Sequence, residues 1–258
     1  MSVFKIRYEV YDFRDNQLFR RTSDNPSEGE VKLSEMNATL PRQDIRRRRS
    51  ERTEDMRKRI LEESVKLFLE QGYEKTTTRQ ILQRVGILNG SLYNIYKSKE
   101  EIFSDIIMIS LMEVSDHAPE VTSEEGGWVD RVSYVLCMEL YLSKQSSRVA
   151  ELLSLLNVKQ AIRDRVYSTV LSWSDGTGIV DGRFPLMTLD SLTGVTSALI
   201  QRMVTDPDAV DLRRAMEIVV GFADCLFGIE RRDVGAVVDA FEENMSGHTV
   251  TICGTPIL

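Results

Sequence analysis

The stretch Thr76–Lys99, TTTRQILQRVGILNGSLYNIYKSK, leaves the chain little choice of local structure. Thr77 can cap a helix, and Gln80 stands three residues on, the spacing at which the two side chains satisfy each other's free backbone N–H groups. Ile81, Leu82 and Val85 form one apolar face, and Gly86 supplies the left-handed residue that closes such a helix. A second short helix begins near Asn89 and carries Gly90, Ser91, Tyr93, Asn94 and Tyr96, with Leu92 as its inward contact. Two short helices crossed by a tight turn are a helix-turn-helix, whose second helix enters the major groove of DNA.

Charge points the same way. The chain has a net charge of −7, yet residues 42–99 hold 15 Lys and Arg against 8 Asp and Glu. Residues 100–258 hold 12 against 25, and residues 1–41 hold 6 against 7. A basic block followed by an acidic body suits a phosphate-binding module joined to a domain that does not touch nucleic acid. Chance clustering on a solvated face is the competing account.

The 258 residues suffice for one large or two modest domains. No apolar run reaches the ~20 residues of a membrane helix, and the N-terminus lacks the apolar core of a signal peptide. Cys137, Cys225 and Cys253 are far apart and form no C-x-x-C pair, which argues against a disulfide framework or a zinc site and fits a reducing cytoplasm. His117 and His248 are too separated to suggest a metal pair, and no cofactor is expected.

Residues 1–41 read as an N-terminal extension and linker. Phe4, Ile6, Tyr8 and Val10 alternate with charged residues as one strand would, and Asp15-Asn16 can turn it into a short hairpin. The Ser-, Asn-, Glu- and Pro-containing run that follows suits a disordered linker, and a start at Met36 would remove most of both. Arg46–Arg49 then form a basic arm able to lie along phosphates or reach a minor groove. Alternatively those arginines pair with Glu51, Glu54 and Asp55 at helical spacing. A helix over about Thr53–Gln71, striped by Ile60, Leu61, Val65 and Phe68, completes a three-helix DNA-binding domain within residues 42–99.

Helical periodicity then continues over about residues 100–116, 128–144, 148–157, 160–173, 188–205, 208–229 and 233–245. Asp208 is the expected cap of the penultimate long helix. Residues 174–184 read as a loop, and residues 246–258 as a flexible tail. The expected fold is all-α: the helix-turn-helix domain, then a larger helical effector-binding and dimerisation domain over residues 100–245.

Residues from about 56 to 102 resemble the N-terminal domain of the tetracycline-repressor (TetR) family of transcriptional regulators. Phe68, Gly72-Tyr73, Thr77, Ile81, Gly86, Gly90-Ser91-Leu92-Tyr93, Tyr96, Lys99 and Phe103 carry the resemblance, which covers under a fifth of the chain. It implies an all-helical homodimer that binds a palindromic operator, usually as a repressor, with a ligand cavity in the C-terminal domain. Carried onto this sequence, it assigns DNA contacts to Thr77, Thr78, Arg79, Asn89, Gly90, Ser91, Tyr93, Asn94, Tyr96 and Lys99. Each has physical sense. Thr77 and Thr78 open a helix whose dipole favours phosphate, Arg79 can meet a phosphate or a guanine edge, and Asn89 and Asn94 can read adenine. Lys99 would clamp a phosphate. Leu88 departs from the pattern, standing where a serine or threonine cap is common. Ile95 departs too, replacing a polar or aromatic anchor with a group suited to a thymine methyl.

In the body, Tyr134, Met138, Tyr141, Trp173 and Met187 are candidates to line a cavity for a small apolar or aromatic effector; plain helix-bundle core is the alternative for each. Residues 188–229 are the candidate dimer segment, through Leu189, Leu192, Val195, Leu199 and Met203 on one helix and Met216, Val219, Val220, Ala223 and Phe227 on the other. Gly194, Ala198 and Gly221 allow close helix approach, and burial inside the monomer is the competing account. A DNA-binding adaptor or architectural protein without an effector is the second functional class. No G-x-S-x-G, H-E-x-x-H or phosphate-cradling glycine loop marks an enzyme.

Overall fold

A computed structural model describes residues 42–118, 127–173, 185–230, 232–246 and 249–257. Its helices are α1 (Arg42–Gln71), α2 (Thr78–Val85), α3 (Asn89–Tyr93), α4 (Lys99–Ser115), α5 (Gly127–Gln145), α6 (Ser147–Ser154), α7 (Gln160–Trp173), α8 (Pro185–Thr205), α9 (Leu212–Phe227) and α10 (Val234–Met245). Short 3-10 turns at Leu155–Asn157 and Pro207–Ala209 join α6 to α7 and α8 to α9. Several helix starts follow directly from sequence: the side-chain oxygens of Ser98, Ser146, Asp211 and Asp233 each accept the backbone N–H three residues on, opening α4, α6, α9 and α10. Among the described residues the fold is all-α apart from a small C-terminal hairpin.

Residues 57–258 make one compact unit, and a second ends at Met56, of which the first part of α1 is described. In the larger unit α5 is the central helix, packed against α4, α6, α8, α9 and α10. It buries most of its length, from Trp128 and Val129 through Leu136 and Cys137 to Leu140 and Leu142, with Arg131 exposed and Val135 and Glu139 half-buried, as a central helix packed by several neighbours does. A charged cluster is buried with this core. Arg232, 2% exposed at its side chain, joins Asp130 of α5 at 2.9 Å and Asp224 of α9 at 2.8 Å, and donates to Ser133 Oγ at 3.0 Å. The pairing offsets the cost of removing three charges from water.

Three expectations need correction. First, α1 starts at Arg42 rather than near Thr53, so the basic arm is helical. No Gly or Pro interrupts residues 42–71, and arginine is a good helix former. Arg47 pairs with Glu51 at 3.5 Å, both exposed, as the helical-spacing account requires. Second, Asp208 lies in a 3-10 turn, and Asp211 caps α9 instead. Third, residues 251–256 of the tail form a hairpin: β1 (Thr251–Ile252) and β2 (Thr255–Pro256) pair antiparallel. Cys253 (φ 46°) and Gly254 (φ 75°) make the two-residue turn between them, the geometry whose handedness matches strand twist. Cys253 is buried, and Thr255 Oγ1 donates to the Glu62 carbonyl of α1 at 3.4 Å. The hairpin and linker expected over residues 1–41, and the loop over 174–184, lie outside the described residues. No helix among the described residues is long and apolar enough to cross a membrane.

Candidate nucleic-acid interface

The helix-turn-helix forms as its spacing demands. Thr77 Oγ1 accepts the Gln80 N–H at 3.3 Å, and the Thr77 N–H donates to Gln80 Oε1 at 2.8 Å, completing the capping box. Ile81, Leu82 and Val85 are buried. Gly86, at φ 74°, closes α2 by donating to the Leu82 carbonyl at 2.9 Å; a side chain there would be strained. Leu92 anchors α3 in the core, and its carbonyl accepts from both Ile95 and Tyr96 at 2.7 Å. Beneath lies an aromatic trio, Phe68, Tyr73 and Phe103, with ring centroids 5.0–6.1 Å apart.

On this scaffold Thr77, Arg79, Gly90, Tyr93 and Asn94 are exposed, and Thr78 is half-buried. Tyr93 is 55% exposed. Arg79 has no hydrogen-bond or ion-pair partner among the described residues, whereas Arg84 is held by Glu63 and Glu70. Asn89 and Ser91 lie on α3, their backbone positions alone being described. A side chain built on Gly90 meets no atom within 4 Å, so packing within the chain does not demand glycine there; close approach of a partner would.

Two expected contacts are spent inside the protein. Tyr96 is 3% exposed; its hydroxyl donates to Asp105 Oδ2 at 3.0 Å and accepts from Arg57 Nε at 3.0 Å. Burial, reinforced by Asp105, pushes its phenol above the ordinary range. Arg57 also pairs with Asp105, whose other oxygen meets Arg165 of α7 at 3.3 Å. Tyr96 is therefore a joint between α1, α4 and α7, not a phosphate ligand. The Lys99 ammonium donates to the carbonyls of Tyr73 and Thr76 at 2.7 and 2.8 Å and sits 4.0 Å from the Tyr73 ring centroid. It ties the α1–α2 connection to α4, and partial burial lowers its pKa. Its expected clamp role is replaced by this tether.

The body holds an apolar cavity of about 70 Å³ among α5, α6, α7 and α8, walled by Val132, Leu136, Leu153, Val170, Trp173 and Leu192. Of the expected effector residues Trp173 lines it and the others do not. Tyr134 donates to Asn244 Oδ1 at 2.6 Å and packs edge-on to Phe241, as Tyr141 does; Met138 is core, and Met187 is 64% exposed. Helical geometry explains the miss. Residues 132, 135, 136 and 139 share one face of α5, towards the cavity, while 134, 138 and 141 share another, nearer α10. Glu139, which sequence reading passed over, is on the cavity face. Its carboxyl has no partner among the described residues, and burial pushes its pKa up to about 7.

Comparison with known proteins fits this geometry. Residues 60–106 match the family described as bacterial regulatory proteins, tetR family. The chain is 35% identical over 66 residues to YhgD of Bacillus subtilis, an uncharacterized HTH-type transcriptional regulator; the match covers 26% of this chain and 35% of that protein. It is 26% identical over 191 residues to the HTH-type transcriptional regulator TtgR of Pseudomonas putida, covering 64% of this chain and 88% of that one. Among solved structures, TylP, a TetR regulator from Streptomyces fradiae, is 22% identical, with a TM-score of 0.48 over 75% of this chain and 99% of the other. The matched stretch contains the capping box, the turn glycine and the anchored second helix, so residues 60–106 carry the domain described as bacterial regulatory proteins, tetR family.

Proposed function

We propose that this DNA-binding transcriptional regulator acts as a homodimeric repressor on a palindromic operator and is released by a small apolar or aromatic effector. The observation that carries the DNA reading is the outward surface of α2 and α3. Arg79, Tyr93 and Asn94 are exposed on helices whose opposite faces are locked by Ile81, Val85 and Leu92. Rigid presentation of polar groups to a groove is what base and phosphate recognition needs. In this reading Thr77, Thr78, Asn89, Gly90 and Ser91 complete the contact surface.

Dimerisation is assigned to the outer face of α8 and α9. Gly194 and Ala198 of α8 and Ile218 of α9 are exposed, and Val195, Leu199 and Phe222 are half-buried. The larger residues Leu189, Leu192, Met203, Met216, Val219 and Phe227 point the other way, into the monomer core. Selecting bound duplexes from a random pool tests function and symmetry together: two inverted half-sites are expected, and enrichment of no sequence would refute the proposal.

The effector reading rests on the apolar cavity, and its size favours a second reading. About 70 Å³ is well below the ~300 Å³ at which ligand sites begin, so an effector must displace Trp173 or its neighbours. A regulator that needs no effector fits the small cavity as it stands. Titrating aromatic compounds against the operator complex separates the two, because only the first predicts release together with quenched Trp173 fluorescence in a Trp128→Phe background.

A further inference from the structure

Leu88 is 83% exposed, more than any other large apolar side chain described. It occupies the N-cap of α3, where a serine, threonine or asparagine would bond a free N–H, and it makes no capping bond. The position thus forgoes a cap and leaves an isobutyl group in water. Gly90, Tyr93 and Asn94, on or next to the same short helix, are exposed as well. Ile95, the other apolar residue suited by sequence to a base contact, is half-buried and lines a cleft with Tyr96, Ser104 and Ile162. That leaves Leu88 as the exposed aliphatic group of this surface.

The first residues of a recognition helix are the ones that meet base edges in the major groove. Along that groove adenine, guanine and cytosine present donors and acceptors alone; the one apolar group on an unmodified base is the thymine 5-methyl. An aliphatic side chain at the mouth of α3 gains nothing from the first three and buries surface against the fourth. We infer that Leu88 is a specificity-determining residue that reads a pyrimidine 5-methyl group, of thymine or of 5-methylcytosine, in each half-site.

This assignment rests on the DNA-binding reading above, and the test separates the two. After an operator is selected, each thymine is replaced in turn by deoxyuridine, which removes the methyl and nothing else. Each cytosine is replaced in turn by 5-methylcytosine. Binding is then measured for the natural chain and for Leu88→Ala. The expected result is one position per half-site where losing the methyl weakens the natural chain about 3- to 10-fold, or where adding one strengthens it as much. Leu88→Ala should bind both forms equally. Thymine as the source shows in the first arm and 5-methylcytosine in the second. An operator bound tightly by the natural chain but indifferent to every methyl overturns the assignment alone, and needs no variant to fold. A pool from which no sequence is enriched overturns the DNA reading and this assignment with it.

Discussion

At the scale of single residues, two side chains that look alike in sequence part company. Tyr93 and Lys99 both flank the recognition helix, yet Tyr93 is exposed while the Lys99 ammonium is held by two carbonyls. Tyr93→Ala should therefore weaken binding to all duplexes by a similar factor and leave the melting temperature nearly unchanged. Lys99→Ala should cost stability, about 1–3 kcal/mol for two charge-assisted hydrogen bonds, and change the salt dependence of DNA binding little. Paired thermal melts and salt titrations check both; a Lys99 variant that melts normally but loses a full phosphate's worth of salt slope would contradict this. Glu139 gives a pH prediction. Burial raises its carboxyl from 4.5 to about 7, so the folded chain binds a proton the unfolded chain has released. Stability then falls as pH rises from 4.5 to 7 and stays lower above it. Glu139→Gln should remove that slope, a difference of roughly 1–3 kcal/mol between about pH 5 and pH 8. Melting curves that stay parallel across the window would rule it out.

At the scale of elements, the C-terminal hairpin is the part whose role periodicity does not announce. A two-stranded ribbon is marginal by itself, so its order depends on docking. Val250 and Ile257 pack on the core, Cys253 is buried, and Thr255 bonds α1. Removing residues 246–258 should therefore destabilise the remaining chain by about 1–4 kcal/mol through uncovered apolar surface. The melting temperature of the shortened chain measures this. Thiol labelling gives an independent reading: Cys225 is exposed, whereas burial raises the thiol pKa of Cys137 to about 12 and that of Cys253 higher still. One thiol should react quickly in the intact fold, and a second after the hairpin's strands are loosened by Gly254→Val. A fast reaction at Cys253 in the natural chain would mean the hairpin is not docked.

At the scale of the whole molecule, the proposed dimer turns on which face of α8 and α9 is left over once the monomer core is filled. Ala198 and Ile218 are exposed, so Ala198→Glu and Ile218→Asp should each keep the helical signal and give monomers by sedimentation equilibrium. Operator affinity should fall about 10²- to 10⁴-fold, since two half-sites would no longer be bound as one. A variant that stays dimeric would place the interface elsewhere. The same leftover-face logic marks what was legible beforehand. Capping box, turn glycine, α3 anchor and most helix spans follow from spacings of three and four residues, because those contacts are made within one element and its next neighbour. Tyr96, Met138, Lys99 and the dimer face do not follow. Each carries a residue type that suits both burial and function, and the choice is made by partners distant in sequence, such as Arg57 and Arg165 meeting at Asp105 beside Tyr96, or Tyr73 with Lys99. By itself the chain's sequence determined an all-helical protein led by a DNA-reading helix-turn-helix, since local hydrogen bonds and periodic burial suffice for that. Only the tertiary structure decided which tyrosine stays exposed beside α3, which face of α5 lines the cavity and where the C-terminal hairpin docks, because those depend on which side of each element its distant neighbours cover.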